Sequence, residues 1–122
     1  MHMDTKTIVI RSVDKINVVN CEQICYCLAS ASYAEITLEN GFRITVTKPL
    51  KWVASQADVP YLIRISQSAL VNIKHIVHIH RRDRTVEMTD GEQIRFTLTI
   101  KKLERLIQEG LQDNKSTGTD NS

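Results

Sequence analysis

Along most of this chain polar and apolar residues alternate with a period of two, the spacing of a strand with one face in a core and the other in water. Residues 35–39 read EITLE, and after Asn40-Gly41 the alternation resumes in FRITVT at 42–47. Ile36, Leu38, Phe42, Ile44 and Val46 are expected inside, with Glu35, Thr37, Arg43 and Thr45 facing water. Asn-Gly supplies the positive φ values that a two-residue hairpin turn requires. The device recurs in TVEMT, Asp90-Gly91 and EQIRF, which sets Val86, Met88, Ile94 and Phe96 on one side. Apolar runs at 7–10, 15–19, 24–29 and 75–79 read as further strands. The pattern predicts a mainly β, largely antiparallel domain.

Two segments break this period. KPLKWVASQA at 48–57 reads as a short helix, with Pro49 in a first turn that tolerates it. Leu103, Leu106, Ile107 and Leu111 recur at helical spacing and predict a closing amphipathic helix, with Gly110 weakening its last turn. Residues 1–5 carry no pattern and resemble the remnant of an expression tag. Residues 112–122 contain no apolar side chain and are expected to be a disordered tail. Between them, residues 6–111 form one domain without a linker or a repeat of 20–50 residues.

Composition narrows the function. At 122 residues the chain holds one domain, and 42% apolar with 25% charged residues is ordinary globular composition. No run of 18 apolar residues and no signal-peptide pattern occurs, so a cytoplasmic address without a membrane partner is expected. The net charge of +2 hides an asymmetry: residues 61–105 carry nine Lys/Arg against five Asp/Glu, which suits a polyanionic partner.

Cys21, Cys25 and Cys27 are odd in number and tightly clustered, unlike a secreted disulfide framework. Cys25 with Cys27 and His78 with His80 each share a strand face, so a cross-strand zinc site is conceivable. Neither C-x-C nor H-x-H is specific, and the reading adopted is buried thiols and strand-surface imidazoles, with no metal. No Gly-rich phosphate loop and no oxyanion-type turn accompanies these groups, so neither catalysis nor a cofactor is expected.

The segment RISQSALVNIKHI, 64–76, carries more information. Ser66, Gln67 and Ser68 interrupt an apolar run where a strand would otherwise continue. Such an island either satisfies a local turn or offers donors and acceptors to a partner. The residues alone leave those options equal.

This segment, followed by RDRTVEMTDGEQI at 82–94, resembles the core signature of the LytTR DNA-binding domain family, R-[IV]-H-[KRQ]-S-[YF]-[LI]-V-N-x-x-x-I and then a hairpin. Upstream, ICYCLASASYAEITLENG and VTKPL are similar to the family's strand, serine-containing loop, hairpin and helix start, so the likeness spans about residues 6–111. It implies an elongated arrangement of small antiparallel sheets with one short and one C-terminal helix. It also implies the role of a bacterial transcription regulator's DNA-binding part, commonly the output domain of a two-component response regulator.

By the same resemblance, base contacts are expected from the loop at Ser30, Ser32 and Tyr33 and from Arg64, Ser66, Gln67 and Ser68. A third region is the junction after Phe96. Lys48, Lys74, Lys101 and Lys102 are counted with the phosphate-facing cations. Arg81, Arg82 and Arg84 are expected to be solvated or to steer DNA, and Asn72 to bridge backbone. Two positions depart from the family pattern. Its central His is Ser66 here, and its S-R-R before the closing helix is Leu98-Thr99-Ile100.

The expected partner is double-stranded DNA, bound by a domain monomeric in solution and paired on repeated sites; with no receiver domain in this sequence, the chain is expected to be either an excised output domain or a stand-alone member. The alternatives are a protein-interaction domain of the same fold, marked by an exposed Leu98-Thr99-Ile100 patch, and a thiol or metal sensor.

Overall fold

A computed structural model describes residues 6–119, with side chains to Gln112. Ten strands form three antiparallel sheets among these residues. β1 (Thr7–Arg11) and β2 (Ile16–Asn20) make a two-stranded ribbon. The main sheet has five strands in the order β5-β4-β3-β7-β6: β3 (Ile24–Ser30), β4 (Tyr33–Leu38), β5 (Arg43–Val46), β6 (Leu62–Ser66) and β7 (Ala69–Asn72). A third sheet is ordered β10-β9-β8, from β8 (Ile76–His80), β9 (Thr85–Met88) and β10 (Gln93–Arg95).

Helix α1 (Leu50–Ala57) crosses from β5 to β6 and packs on β1, β3, β6 and β7 through Leu50, Val53 and Ala57. Pro49 is its N-cap residue, one position before the expected first turn. Asp58 in the left-handed region ends it, its N–H donating to the Ala54 carbonyl at 2.9 Å.

β3 is the middle strand of the main sheet and buries four consecutive residues, Ile24 to Cys27. A bulge between Ile24 and Tyr26 breaks its alternation. Tyr26 reaches out of the sheet and donates its hydroxyl to Asp90 Oδ2 at 2.7 Å, tying the main sheet to the β9–β10 turn. Thr37, opposite Tyr26 on β4, is only 5% exposed for the same reason, against the expectation that it faces water.

Both Gly-containing hairpins differ from expectation in one respect. Leu38 N–H donates to Phe42 O and Gly41 N–H to Leu38 O, each at 2.9 Å; Met88, Glu92 and Gly91 repeat this. The loops are therefore three residues long, with only the glycines, at φ +92° and +91°, in the left-handed region. The hydrophobic pattern outranks the dipeptide signal here. A two-residue loop would set Ile36 against Thr45, whereas the observed register sets it against Ile44. Phe42 closes the loop and is 69% exposed, not in the core.

Asn20 and Asn72 open two matching corners. Each precedes a single 3-10 turn, Cys21–Gln23 or Ile73–His75, and accepts from the N–H two residues on, Glu22 or Lys74, at 2.9 Å. Asn72 is fully buried and also donates across to the first corner, to Ile24 O at 2.9 Å and Glu22 O at 3.3 Å. The expectation that Asn72 bridges backbone holds.

Helix α2 (Ile100–Thr119) packs on β6 and the second 3-10 turn. Thr99 caps it, its Oγ1 accepting from Lys102 N–H at 3.1 Å. Leu103 is fully buried, Leu106 and Ile107 half-buried, and Leu111 exposed. Gly110 permits a close approach: a Cβ there would lie 2.5 Å from Ile73 Cδ1 and 2.8 Å from the Pro60 carbonyl oxygen. The backbone remains helical to Thr119, beyond the expected end at 111, since no proline interrupts the ladder. Residues 1–5 and 120–122 of the expected tag remnant and tail lie outside the described residues.

Candidate nucleic-acid interface

Strand direction gathers the functional turns at one end of the main sheet. β3 ends and β4 begins at Ser30↔Tyr33, β6 ends and β7 begins at Ser66↔Ala69, and β5 ends at Val46 beside Ala34. Ala29 N–H donates to Ser68 O at 2.9 Å, joining the first two turns. The third sheet delivers its end to the same place, because Thr97 N–H donates to Ile65 O at 2.9 Å. Leu28 and Ala29, Ser66 to Ala69, and Ile94, Arg95 and Thr97 consequently line one open cleft of about 520 Å³.

Within the β6–β7 turn, Arg64 Nε donates to Ser66 O at 3.2 Å and Nη2 to Gln67 O at 2.9 Å. Ser66 Oγ accepts from Ser68 N–H at 3.1 Å. Arg64 and Ser66 therefore hold the turn's shape. Gln67 and Ser68 are exposed, and among the described residues their side chains make no internal hydrogen bond. Ser32 and Tyr33 stand at the β3–β4 turn, Tyr33 being 42% exposed. Ala31 beside them adopts φ +54°, a costly region for alanine.

Lys48 lies at the same end but on the far edge, its Nζ 5.5 Å from the centre of the Trp52 ring. Four strand-to-strand steps separate it from Ser66, about 19 Å at ordinary strand spacing. Lys101 and Lys102 are exposed in the first turn of α2, which follows the junction.

Lys74 does not join them. It follows β7 at the opposite end of the sheet, over the Tyr61 ring at 4.7 Å and 3.7 Å from Glu22 Oε2. Its place after Asn72, where β7 pairs with the start of β6, sets it there.

Arg84, expected to be solvated, is half-buried with φ +56°. Its guanidinium lies over the Phe96 ring at 4.7 Å and donates to the Leu98 carbonyl, fastening the β8–β9 turn to the junction before α2. Leu98 and Ile100 are half-buried against the core, and Leu98 also lines an open groove with Leu62, Ile63 and Leu106. Arg95 is a further candidate that the sequence reading leaves out. The family arginine is lacking at 98–100, yet Arg95 is exposed in the cleft two positions before Thr97. The signal was present, since inward Ile94 and Phe96 leave Arg95 facing out.

The three thiols are buried and unpaired. Burial pushes the Cys27 thiol up to about 12 against the partial opposition of Arg64, and Cys21 and Cys25 also upward. Raised thiols are poor nucleophiles and poor ligands.

The antiparallel scaffold thus presents turns, hydroxyls, an amide and cations at one end. The LytTr DNA-binding domain family model matches residues 14–108, and the chain belongs to that family. It is a DNA-binding domain family. No curated protein matches the chain. A solved structure, the LytTr DNA-binding domain of a methyl-accepting/DNA response regulator from Bacillus cereus, superposes with a TM-score of 0.69 at 18% identity, covering 86% of this chain and 98% of that one. At that identity the likeness bears on the fold. No described helix is long and apolar enough to cross a membrane.

Proposed function

We propose that this domain binds double-stranded DNA sequence-specifically as the output part of a bacterial transcription regulator in the cytoplasm. The observation that carries the reading is the convergence of the end of β3, the β6–β7 turn and the β10 end on one cleft, with the β3–β4 turn at the same end of the sheet. Gln67, Ser68, Ser32 and Tyr33 offer amide and hydroxyl groups to base edges. Arg95 supplies the guanidinium that positions 98–100 lack. Lys48, Lys101 and Lys102 neutralise phosphates and set register. Lys74 is left out of the set. The isolated domain is monomeric and pairs on repeated sites, and a receiver domain on another chain or chain segment supplies the signal.

Selection from a random duplex pool, sequenced at two salt concentrations, tests this. Enrichment of a short motif, repeated about one helical turn apart, is the expected result. Binding that falls steeply with salt without enrichment would refute base reading and leave only phosphate contact. Gln67→Ala should then cost about 1–3 kcal/mol at one base position. Lys101→Ala should weaken all sites alike and reduce the salt slope by about one.

A further inference from the structure

His78, His80 and Glu87 form a cluster away from the cleft-lining residues. The two histidines stand two apart on β8, and Glu87 is the cross-strand partner of His78 on β9. Glu87 Oε1 lies 2.8 Å from His80 Nε2 and 3.6 Å from His78 Nδ1, and the three ligand atoms are all within 4.8 Å of one another. The imidazoles are tilted by 51° with centroids 5.9 Å apart.

A bulge creates this arrangement. Between Ile76↔Met88 and His78↔Glu87 the register slips by one, with Val77 as the extra residue. In a regular ladder His78 would face Val86, which is fully buried. The slip gives that inward position to Ile79 and turns both histidines onto the face of Glu87. Bulges commonly re-aim side chains in this way beside functional sites.

The electrostatics agree. Among the described residues Glu87 lies within 4.0 Å of the two imidazoles and of no lysine or arginine, although Arg81, Arg82, Arg84 and Arg95 are near it in the chain. On the neighbouring strand it faces Gln93, which accepts a hydrogen bond from Thr85 at 3.0 Å. β8 is an edge strand, so solvent and ions have access.

We infer that His78, His80 and Glu87 bind a divalent transition ion, zinc by the choice of donors. Two imidazole nitrogens and one carboxylate oxygen are the protein ligands of a common open zinc site, with water in the fourth position. Tetrahedral zinc at about 2.0–2.1 Å sets its ligand atoms about 3.3 Å apart, a value that the two distances to Glu87 bracket. Binding needs each neutral imidazole to carry its proton on the other ring nitrogen, a tautomer that proton exchange with solvent supplies on this accessible face. The ion would staple β8 to β9 next to the turn whose Arg84 grips the junction before α2. The site does not depend on the DNA reading, and its test does not use DNA.

The experiment is a zinc titration of the chelator-stripped, reduced 122-residue protein against a chromophoric competitor, repeated with Co²⁺ to read the ligand field. One equivalent should bind, with the visible bands of four-coordinate Co²⁺ and no thiolate charge-transfer band. His80→Ala and Glu87→Gln should each weaken binding about tenfold or more, with unchanged far-UV circular dichroism. His2→Ala and His75→Ala should leave it unaltered. Absence of saturable binding would overturn the proposal, as would equal affinity in His80→Ala and Glu87→Gln, or a thiolate band.

Discussion

Asn72 gives the sharpest test of how the two corners hold each other. Its side chain is fully buried and makes three hydrogen bonds, to Lys74 N–H, Ile24 O and Glu22 O. Asn72→Ala removes all three and leaves the Ile24 carbonyl without its side-chain donor in a buried setting. An orphaned buried group costs about 1–3 kcal/mol and a lost bond about 0.5–1.5 kcal/mol. Together these predict a loss of about 2–4 kcal/mol, or about 8–15 °C in melting temperature for a domain of this size. Asn20→Ala is the internal control. Asn20 makes the same local bond to Glu22 N–H in an exposed setting, so its removal should cost only about 0.5–1 kcal/mol. Asn72→Asp keeps the acceptor for Lys74 but turns a carboxylate oxygen toward two carbonyls, and should be at least as harmful as alanine. Urea unfolding of the three variants measures the differences. If Asn72→Ala fell within about 0.5 kcal/mol of Asn20→Ala, or Asn72→Asp were neutral, the cross-corner bonds would not stabilise the fold.

Other outcomes follow from packing and burial. Gly110→Ala should destabilise by about 1–2 kcal/mol, because the Pro60 carbonyl cannot yield and overpacking outweighs the helix preference of alanine; thermal melts decide. Cys21, Cys25 and Cys27 should resist iodoacetamide in the native protein at pH 8 and react after denaturation, and rapid native labelling would contradict their burial. Burial raises the Cys27 thiol from 9.0 to about 12, and the Tyr26 and Tyr61 hydroxyls from 10.0 to about 12. Raised acids favour the fold while protonated, so this stability is complete below pH 9 and lost as pH climbs toward 12. Melting temperature should therefore hold from pH 7 to 8.5 and fall above 9; a rise in that range would reverse the sign.

The strands were legible because alternation records burial directly. All four apolar runs and both hairpins fall where the pattern placed them, and the loop length followed the hydrophobic register, not Asn-Gly or Asp-Gly. What escaped were consequences of contacts distant in sequence. Thr37 is covered because Tyr26 reaches Asp90, 64 positions away. Lys74 lies apart from the other cations because the direction of β7 puts it at the wrong end of the sheet. Arg84 is immobilised by Phe96 and Leu98, which no local pattern announces. Arg95 was readable from alternation but mattered only once β10 was seen to end beside Ile65. The H-x-H pair was visible, while its carboxylate partner required a bulge that periodicity does not encode.

Arg64 grips the β6–β7 turn by main-chain carbonyls, those of Ser66 and Gln67. A carbonyl is the same whatever side chain accompanies it. The Arg64 grip is thus indifferent to the side chain displayed at 67, while Ser66 braces the same turn through its own hydroxyl. Substitution at 67 can change what the turn displays while the frame that displays it stays constant. Under the DNA-binding reading proposed above, such a turn can acquire a new operator without a new fold.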